Sequence, residues 1–331
     1  MSNYPVSEAT LLDAVNMALT YEMKHDDNVV LLGEDIGANG GVFRATAGLQ
    51  ESYGPTRVID TPLAETLIAG VSIGMATQGL KPVAEIQFMG FIYAIFEQLV
   101  SQAARMRNRT RGRLTCPLVI RAPFGGGIHA PEPHSESPEA MLAHIPGIRV
   151  VIPSSPKRAY GLLLASIRDP DPVLFLEPKR IYRAVKHPLE NNGEALPLDT
   201  CFTLREGKDI TLVSWGASIT ETLQAADQLS QEGIEAEVID VATIKPLDMD
   251  TIKASVGKTG RCVIVHEAAR SFGAGAEIAA NLAECSLLDL KAPVVRVSGY
   301  DTIMPLFQNE HYYLPQVEDI VRSVQHVLEF G

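Results

Sequence analysis

Cysteine, tryptophan and basic residues are all scarce in this 331-residue chain, which has four Cys and one Trp. The thiols of Cys116, Cys201, Cys262 and Cys285 are far apart and form no Cys-x-x-Cys pair. That argues against a disulfide scaffold or a zinc site and for reduced packing residues. Lys and Arg total 28 against 40 Asp and Glu, a formal net charge of −12. Such an acidic surface repels phosphate backbones, so nucleic acid is not an expected partner. An anionic substrate needs local cationic or dipolar help against that field. No apolar stretch approaches the ~20 residues that span a bilayer, and Gly161–Ile167 is among the longest. The opening MSNYPVSEATLLDAV has neither a basic region nor an apolar signal core. No membrane association is therefore expected, and the cytoplasm is the expected compartment. A Walker lysine pattern is absent. Gly273-Ala-Gly275 lacks the third glycine of a dinucleotide loop and reads as a helix-entry turn.

What is present points to two packed domains, with 46% apolar and 21% charged residues. Short apolar, β-branched runs alternate with longer helical patterns, the signature of an α/β protein with parallel sheets. In the first half the predicted strands are Val29–Leu32, Val58-Ile59, Pro82–Ile86, Leu118–Arg121, Val150–Ile152 and Val173–Leu176. Helices are predicted near 64–78, 90–107 and 156–168. The stretch 178–208, rich in charge and Pro with little periodicity, reads as a linker. Strands then recur at Ile210–Ser214, Ala236–Ile239, Cys262–His266 and Val294–Val297, with helices near 219–231, 276–285 and 316–329.

Ligands of open parallel sheets bind beyond the carboxyl ends of the strands. Three segments there carry unusual chemistry: Gly33-Glu34, Leu63-Ala-Glu65 and the loop 123–138. All lie in the first half, where the active centre is expected. Glu65 opens a helix, so it can simply satisfy first-turn N–H groups and the helix dipole. Alternatively it is a carboxylate partly desolvated among Leu63, Ile68 and Val71, suited to share a proton with a ligand nitrogen. His129 and His134 sit in GGGIHAPEPHSESPEA, and long irregular loops of compact domains are often functional. Ser135-Glu136-Ser137-Pro138 is a helix-start pattern, so the His134 imidazole is expected at a helix N-terminus, exchanging protons near neutral pH. The plainer alternative is a loop histidine bonded to backbone. Gly125-Gly-Gly127 alone does not establish a phosphate cradle. The dense basic run Arg105–Arg113 is either a solvated helix end or a docking surface for an acidic partner.

Taken together, GEDIGANGGVFRATAGL, DTPLAETLIAG, AEIQFMGF, RAPFGGGIHAPEPHSESPEA, PGIRVVIPSSP and HEAARSFGAGAEIA resemble the beta subunit of thiamine-diphosphate-dependent 2-oxo acid dehydrogenases. These are the decarboxylating first components of the pyruvate and branched-chain complexes. The resemblance runs from about residue 5 to the C-terminus. It implies two doubly wound domains: a transketolase-like pyrimidine-binding domain (1–180), a linker (181–208) and a transketolase C-terminal domain (209–331). It further implies that Glu65 bonds the aminopyrimidine of thiamine diphosphate, whose thiazolium is the electron sink for loss of carbon dioxide. Phe91 matches an aromatic position packed on that ring, Leu63 and Gln87 match its neighbours, and Glu34 matches a nearby carboxylate of a proton network. Phe91 replaces a tyrosine of some branched-chain relatives. His134 matches a histidine that binds the substrate carboxylate and serves reductive acylation of a lipoyl group. His129, absent from some relatives, is a second substrate candidate. A potassium ion is implied at Leu118, Ser166, Ile167, Asp169 and Asp171, largely through backbone carbonyls.

Enzymes of this kind anchor Mg²⁺ and the diphosphate through Gly-Asp-Gly followed by Asn-Asn. The chain has no Gly-Asp-Gly, and Asn191-Asn192 has nothing upstream to match it. An alpha subunit is therefore expected to hold Mg²⁺ in an α2β2 heterotetramer, with a lipoyl-bearing acyltransferase as the further partner. Two other readings compete: an acetoin dehydrogenase beta subunit, and a non-catalytic partner-binding module of the same fold. The joint presence of Glu65, Phe91 and His134 disfavours the module. HSESPEAMLAHIPGI, LEPKRIYRA and SGYDTIMP lean towards branched-chain acids, whereas EIQFMGFIY and PFGGGIHAPE resemble bacterial pyruvate enzymes.

Overall fold

The computed structural model describes residues 6–330. The first five residues of the segment inspected for targeting, and residue 331 of the C-terminal domain, lie outside the described residues. The chain divides into two units. One runs to Phe124 and resumes over Ala143–Leu198, and the other comprises Gly125–Leu142 and the chain from Asp199 onward. The loop carrying His129 and His134 thus packs within the second unit.

In the first unit a parallel sheet runs in the order Arg149–Val151, Val173–Pro178, Val119–Phe124, Lys81–Glu85, Val29–Gly33, Val58–Asp60. Its inner strands are buried along their length, as expected where helices cover both faces. Two helices pack together on it, Leu11–His25 and Pro156–Arg168. The first, unassigned from sequence, starts with a reciprocal cap between Thr10 and Asp13. The second begins where predicted, with Pro156 at its first position, and the structure adds Ser155 as its cap. Arg168 donates to Glu22 across the pair at 2.7 Å.

The predicted helix 90–107 is broken. It becomes a 3₁₀ turn over Met89–Ile95, a wide π turn over Gln98–Gln102, a 3₁₀ turn over Ala103–Arg105 and an α turn over Met106–Arg109. Buried Met89, Ile92 and Ile95 recur every three residues, the 3₁₀ period, before the spacing opens to four at Leu99 and Ala103. The stretch read as linker contains strand His187–Glu190, antiparallel to Val6–Ala9, and strand Phe202–Arg205 of the second unit.

In the second unit the strand order is Val295–Gly299, Cys262–Ala269, Ile210–Ser214, Ala236–Asp240, Phe202–Arg205, parallel except for the last. Leu212, Val238, Val263 and Val265 pack with helices Ile219–Gln231 and Val317–Leu328 on one face. Ile264, alternating to the other face, meets helix Ala274–Cys285, and helix Met249–Thr259 covers the same side. The α/β, doubly wound expectation holds for both units. Cys116, Cys201 and Cys262 are buried packing residues, and burial pushes the thiols of Cys116 and Cys262 up to about 12. Cys285 departs from that reading: it ends its helix exposed. No helix among the described residues is long and apolar enough to cross a membrane.

Candidate active site

The candidate residues fall into two sets, one on each unit. In the first unit, Glu34 directly follows strand Val29–Gly33, and Asp35 turns the chain away with a left-handed φ of 56°. Glu65 is the first residue of helix Glu65–Thr77, and no side chain caps that helix at Ala64. The two carboxylates are near enough for their charges to interact. Burial raises the Glu34 carboxyl above its ordinary value, and the charges of Asp35 and Glu65 raise it further. Thr66 ties the start of the helix to the carbonyl of Ala94 at 2.9 Å, in the turn that carries Phe91. Phe91 stands edge-on to Phe88, ring centroids 6.1 Å apart, and Phe88 stands edge-on to Phe43. Half-buried Gln87 precedes this aromatic group.

The apolar surroundings expected for Glu65 are half built. Ile68 is buried, but Leu63 is 73% exposed and Val71 42%. Leu67 and Gly70, on the same helix, are also exposed.

Sequence reasoning missed a charged cluster buried on three neighbouring strands. Arg121 donates to Glu177 at 2.6 and 3.0 Å and to Glu85 at 3.0 Å, and Tyr182 donates to Glu177 at 2.6 Å. Burial raises the Glu85 carboxyl against the pull of Arg121, with Glu177 adding to the rise. Two carboxylates share one guanidinium out of water. The signal was available: Val119–Phe124 and Val173–Pro178 are apolar but for one charged residue each, and Arg121 pairs in register with Glu85, while Glu177 lies two positions further along its strand.

In the second unit the glycine loop is closed by the protein's own carboxylates. Glu267 accepts the N–H of Gly126 at 3.1 Å and the hydroxyl of Ser137 at 2.7 Å. Glu310 accepts the N–H groups of Gly127 at 2.6 Å and His129 at 3.0 Å. Left-handed Gly125 and Gly127, with φ of 81° and 85°, turn these N–H groups inward as an anion nest. The nest holds glutamates, not phosphate. His129 is itself left-handed, φ 60°, with its ring 3.6 Å from Glu310 and 4.3 Å, centroid to centroid, from Phe307.

His134 closes a 3₁₀ turn over Glu132–His134. The α-helix after it begins only at Glu139, so the imidazole is not at that helix's N-terminus as expected. The residues between them, ending in Pro138, are not helical. Below the loop lie Glu139, Trp215 and His266, also missed. Trp215 Nε1 donates to Glu139 at 3.3 Å. Burial, with Glu267 adding, pushes the Glu139 carboxyl up to about 8, and burial, with Arg296 adding, pushes His266 down to about 4.

Of the residues considered for potassium, Asp169 accepts from Arg149 at 3.2 Å, and Asp171 accepts from Arg107 of the basic run at 2.8 Å. Ser166 bonds back to the carbonyl of Leu162. Leu118 and Ile167 are buried. No group of three or more His, Cys, Asp or Glu able to hold a metal occurs among the described residues.

The family described as "Transketolase, pyrimidine binding domain" matches residues 7–185, and "Transketolase, C-terminal domain" matches residues 200–320. The chain is 47% identical to the pyruvate dehydrogenase E1 component subunit beta of Bacillus subtilis (strain 168), over 98% of this chain and all of that protein. The Staphylococcus aureus (strain Mu50) protein of the same name is 45% identical over the same shares. Among solved structures, a split-gene transketolase described as an inactive beta4 tetramer superposes with a TM-score of 0.80 at 24% identity. The match covers 98% of this chain and 99% of that one, and shows the fold alone.

Proposed function

The chain belongs to the family of pyruvate dehydrogenase E1 component beta subunits, and from that premise we propose that it supplies the pyrimidine side and the histidine loop of a thiamine-diphosphate-dependent 2-oxo acid dehydrogenase. The observation that carries the reading is Glu65, at the first position of its helix, beside Glu34 and an open apolar flank of Leu63, Leu67 and Val71. That donor set fits an aminopyrimidine: a carboxylate for the ring nitrogen and apolar groups for the ring face, with Phe91 and Gln87 alongside. The bound cofactor would supply the electron sink for decarboxylation. Glu65 holds and returns the ring proton, and Glu34 passes protons to it. His134 takes the substrate carboxylate and serves acyl transfer to the lipoyl group, with His129 as second substrate contact.

Nothing in the sequence matches the Gly-Asp-Gly half of the site. We assign Mg²⁺ and the diphosphate to an alpha subunit, in an α2β2 heterotetramer that presents acyl groups to a lipoyl-bearing acyltransferase in the cytoplasm. Potassium fits at Leu118, Ser166, Ile167, Asp169 and Asp171 through main-chain carbonyls, because the carboxylates of Asp169 and Asp171 already have arginine partners. Pyruvate is the proposed substrate, supported by the relatives.

The test follows cofactor-dependent ferricyanide reduction by the chain co-purified with its Gly-Asp-Gly-bearing partner. Pyruvate is expected to be preferred over 3-methyl-2-oxobutanoate, and Glu65→Gln is expected to remove nearly all turnover without unfolding. Preference for the branched acid would move the enzyme to branched-chain breakdown, and turnover of acetoin alone would make it an acetoin dehydrogenase. Full activity of the Gln variant would favour the non-catalytic module.

A further inference from the structure

Glu267 and Glu310 are buried, 4% and 2% exposed, yet neither has a Lys or Arg partner among the described residues. Their hydrogen bonds come from Gly126, Gly127, His129 and Ser137, all on one loop. A carboxylate out of water is tolerated only when donors replace its hydration. Charge and loop are therefore coupled: with the loop in place both carboxylates are satisfied, and with the carboxylates removed the loop loses its floor. The loop cannot relax cheaply in other directions. A Cβ on Gly125 would run into the Glu267 carboxylate, and one on Gly126 into the Met304 side chain. Left-handed His129 is the costliest point, since a non-glycine residue rarely adopts that conformation, and such outliers persist only where the surroundings over-determine them. Here three contacts do so: its N–H on Glu310, its ring beside the same carboxylate, and its edge-to-face packing on Phe307.

We propose that Glu310 and Glu267 are positioning residues, whose buried carboxylates hold the Gly125–Ser137 loop in the conformation that presents His129 and His134 to the substrate. The proposal rests on the reading of that loop given above. Glu310 sets the backbone at both Gly127 and His129, so its two oxygens are not interchangeable with one. A glutamine retains a single acceptor oxygen and turns an N–H₂ towards the second donor.

The test compares Glu310→Ala, Glu310→Gln and His134→Ala with the parent chain, each co-purified with the partner. Two readouts are taken: amide hydrogen exchange over 125–137, and KM and kcat for pyruvate at saturating cofactor. Glu310→Ala is expected to speed exchange across the loop at least tenfold while strand Ile210–Ser214 keeps its protection. KM is expected to rise roughly tenfold to a hundredfold, the scale of a misplacement of about 1 Å. Glu310→Gln should fall between parent and Ala on both readouts. Unchanged loop exchange in Glu310→Ala overturns the proposal whatever His134→Ala does, and so does a loosened loop with KM and kcat intact. Should the Ala variant not fold, Glu310→Gln decides by the same two readouts. Full turnover by His134→Ala overturns instead the reading of the loop itself, and with it the catalytic purpose assigned to the clamp.

Discussion

The indole of Trp215 lies flat on the imidazole of His266, ring centroids 5.1 Å apart and planes 8° from parallel. Gly273 and Gly275 close the other edges of the imidazole, where any Cβ would press into the ring. Neither ring nitrogen makes a hydrogen bond of normal geometry. Trp215 spends its own donor on Glu139, so one aromatic pair links a strand end to the residue that follows the histidine loop.

Two opposed pH effects follow. Unfolded, His266 takes a proton near 6.5, but in the fold only near 4, so stability falls as the pH drops through that window. Glu139 runs the other way. Its carboxyl keeps a proton up to about 8 in the fold but loses it near 4.5 when unfolded. Its contribution is complete below 4.5 and is lost as pH rises through about 8. Glu139→Gln removes only the alkaline loss. Its melting temperature should pull ahead of the parent's by several degrees near pH 9 and by little near pH 5, at roughly 2–4 °C per kcal/mol. A gap that does not change with pH, read by thermal denaturation across that range, would show that Glu139 is ionised in the fold.

Arg121 pairs with both Glu85 and Glu177, and all three are buried. Arg121→Met should cost about 3–5 kcal/mol, because it strands carboxylates rather than merely deleting a bond. Urea denaturation measures the loss. Adding Glu177→Gln to Arg121→Met should recover part of it; no recovery would put the cost down to packing instead.

Phe272 combines a left-handed φ of 56° with 97% exposure, at the turn before helix Ala274–Cys285. Asparagine tolerates that conformation better than an aromatic residue. Phe272→Asn should therefore stabilise the isolated chain by about 0.5–1 kcal/mol. A thermal shift assay decides, and a lowered melting temperature would mean the phenyl ring makes a contact worth more than the backbone relief.

Regular periodicity was readable wherever one local pattern sufficed. The strands Ile210–Ser214 and Val173–Pro178 and the helices Pro156–Arg168 and Ile219–Gln231 lie where apolar spacing put them. Where burial switched period, as over Met89–Arg109, the sequence average suggested one helix and the structure made four short turns. Glu34, Glu65 and His134 stood out because polar residues sat just beyond strands or in a glycine-rich loop. Glu267, Glu310, Glu139 and Arg121 did not stand out, since each looks like an ordinary charge in its own segment.

By itself, then, the sequence determined the alternation of strands and helices, the post-strand positions of the chemistry-bearing residues, and the missing Gly-Asp-Gly. Those are local properties of spacing and residue type. Only the tertiary structure decided which carboxylate answers which donor. Gly126 and Glu267, or His129 and Glu310, are well over a hundred residues apart, and hydrogen bonds and burial depend on distance in space. The same glycine nest that would cradle a phosphate in an open loop is filled here by glutamates, and no local pattern distinguishes the two.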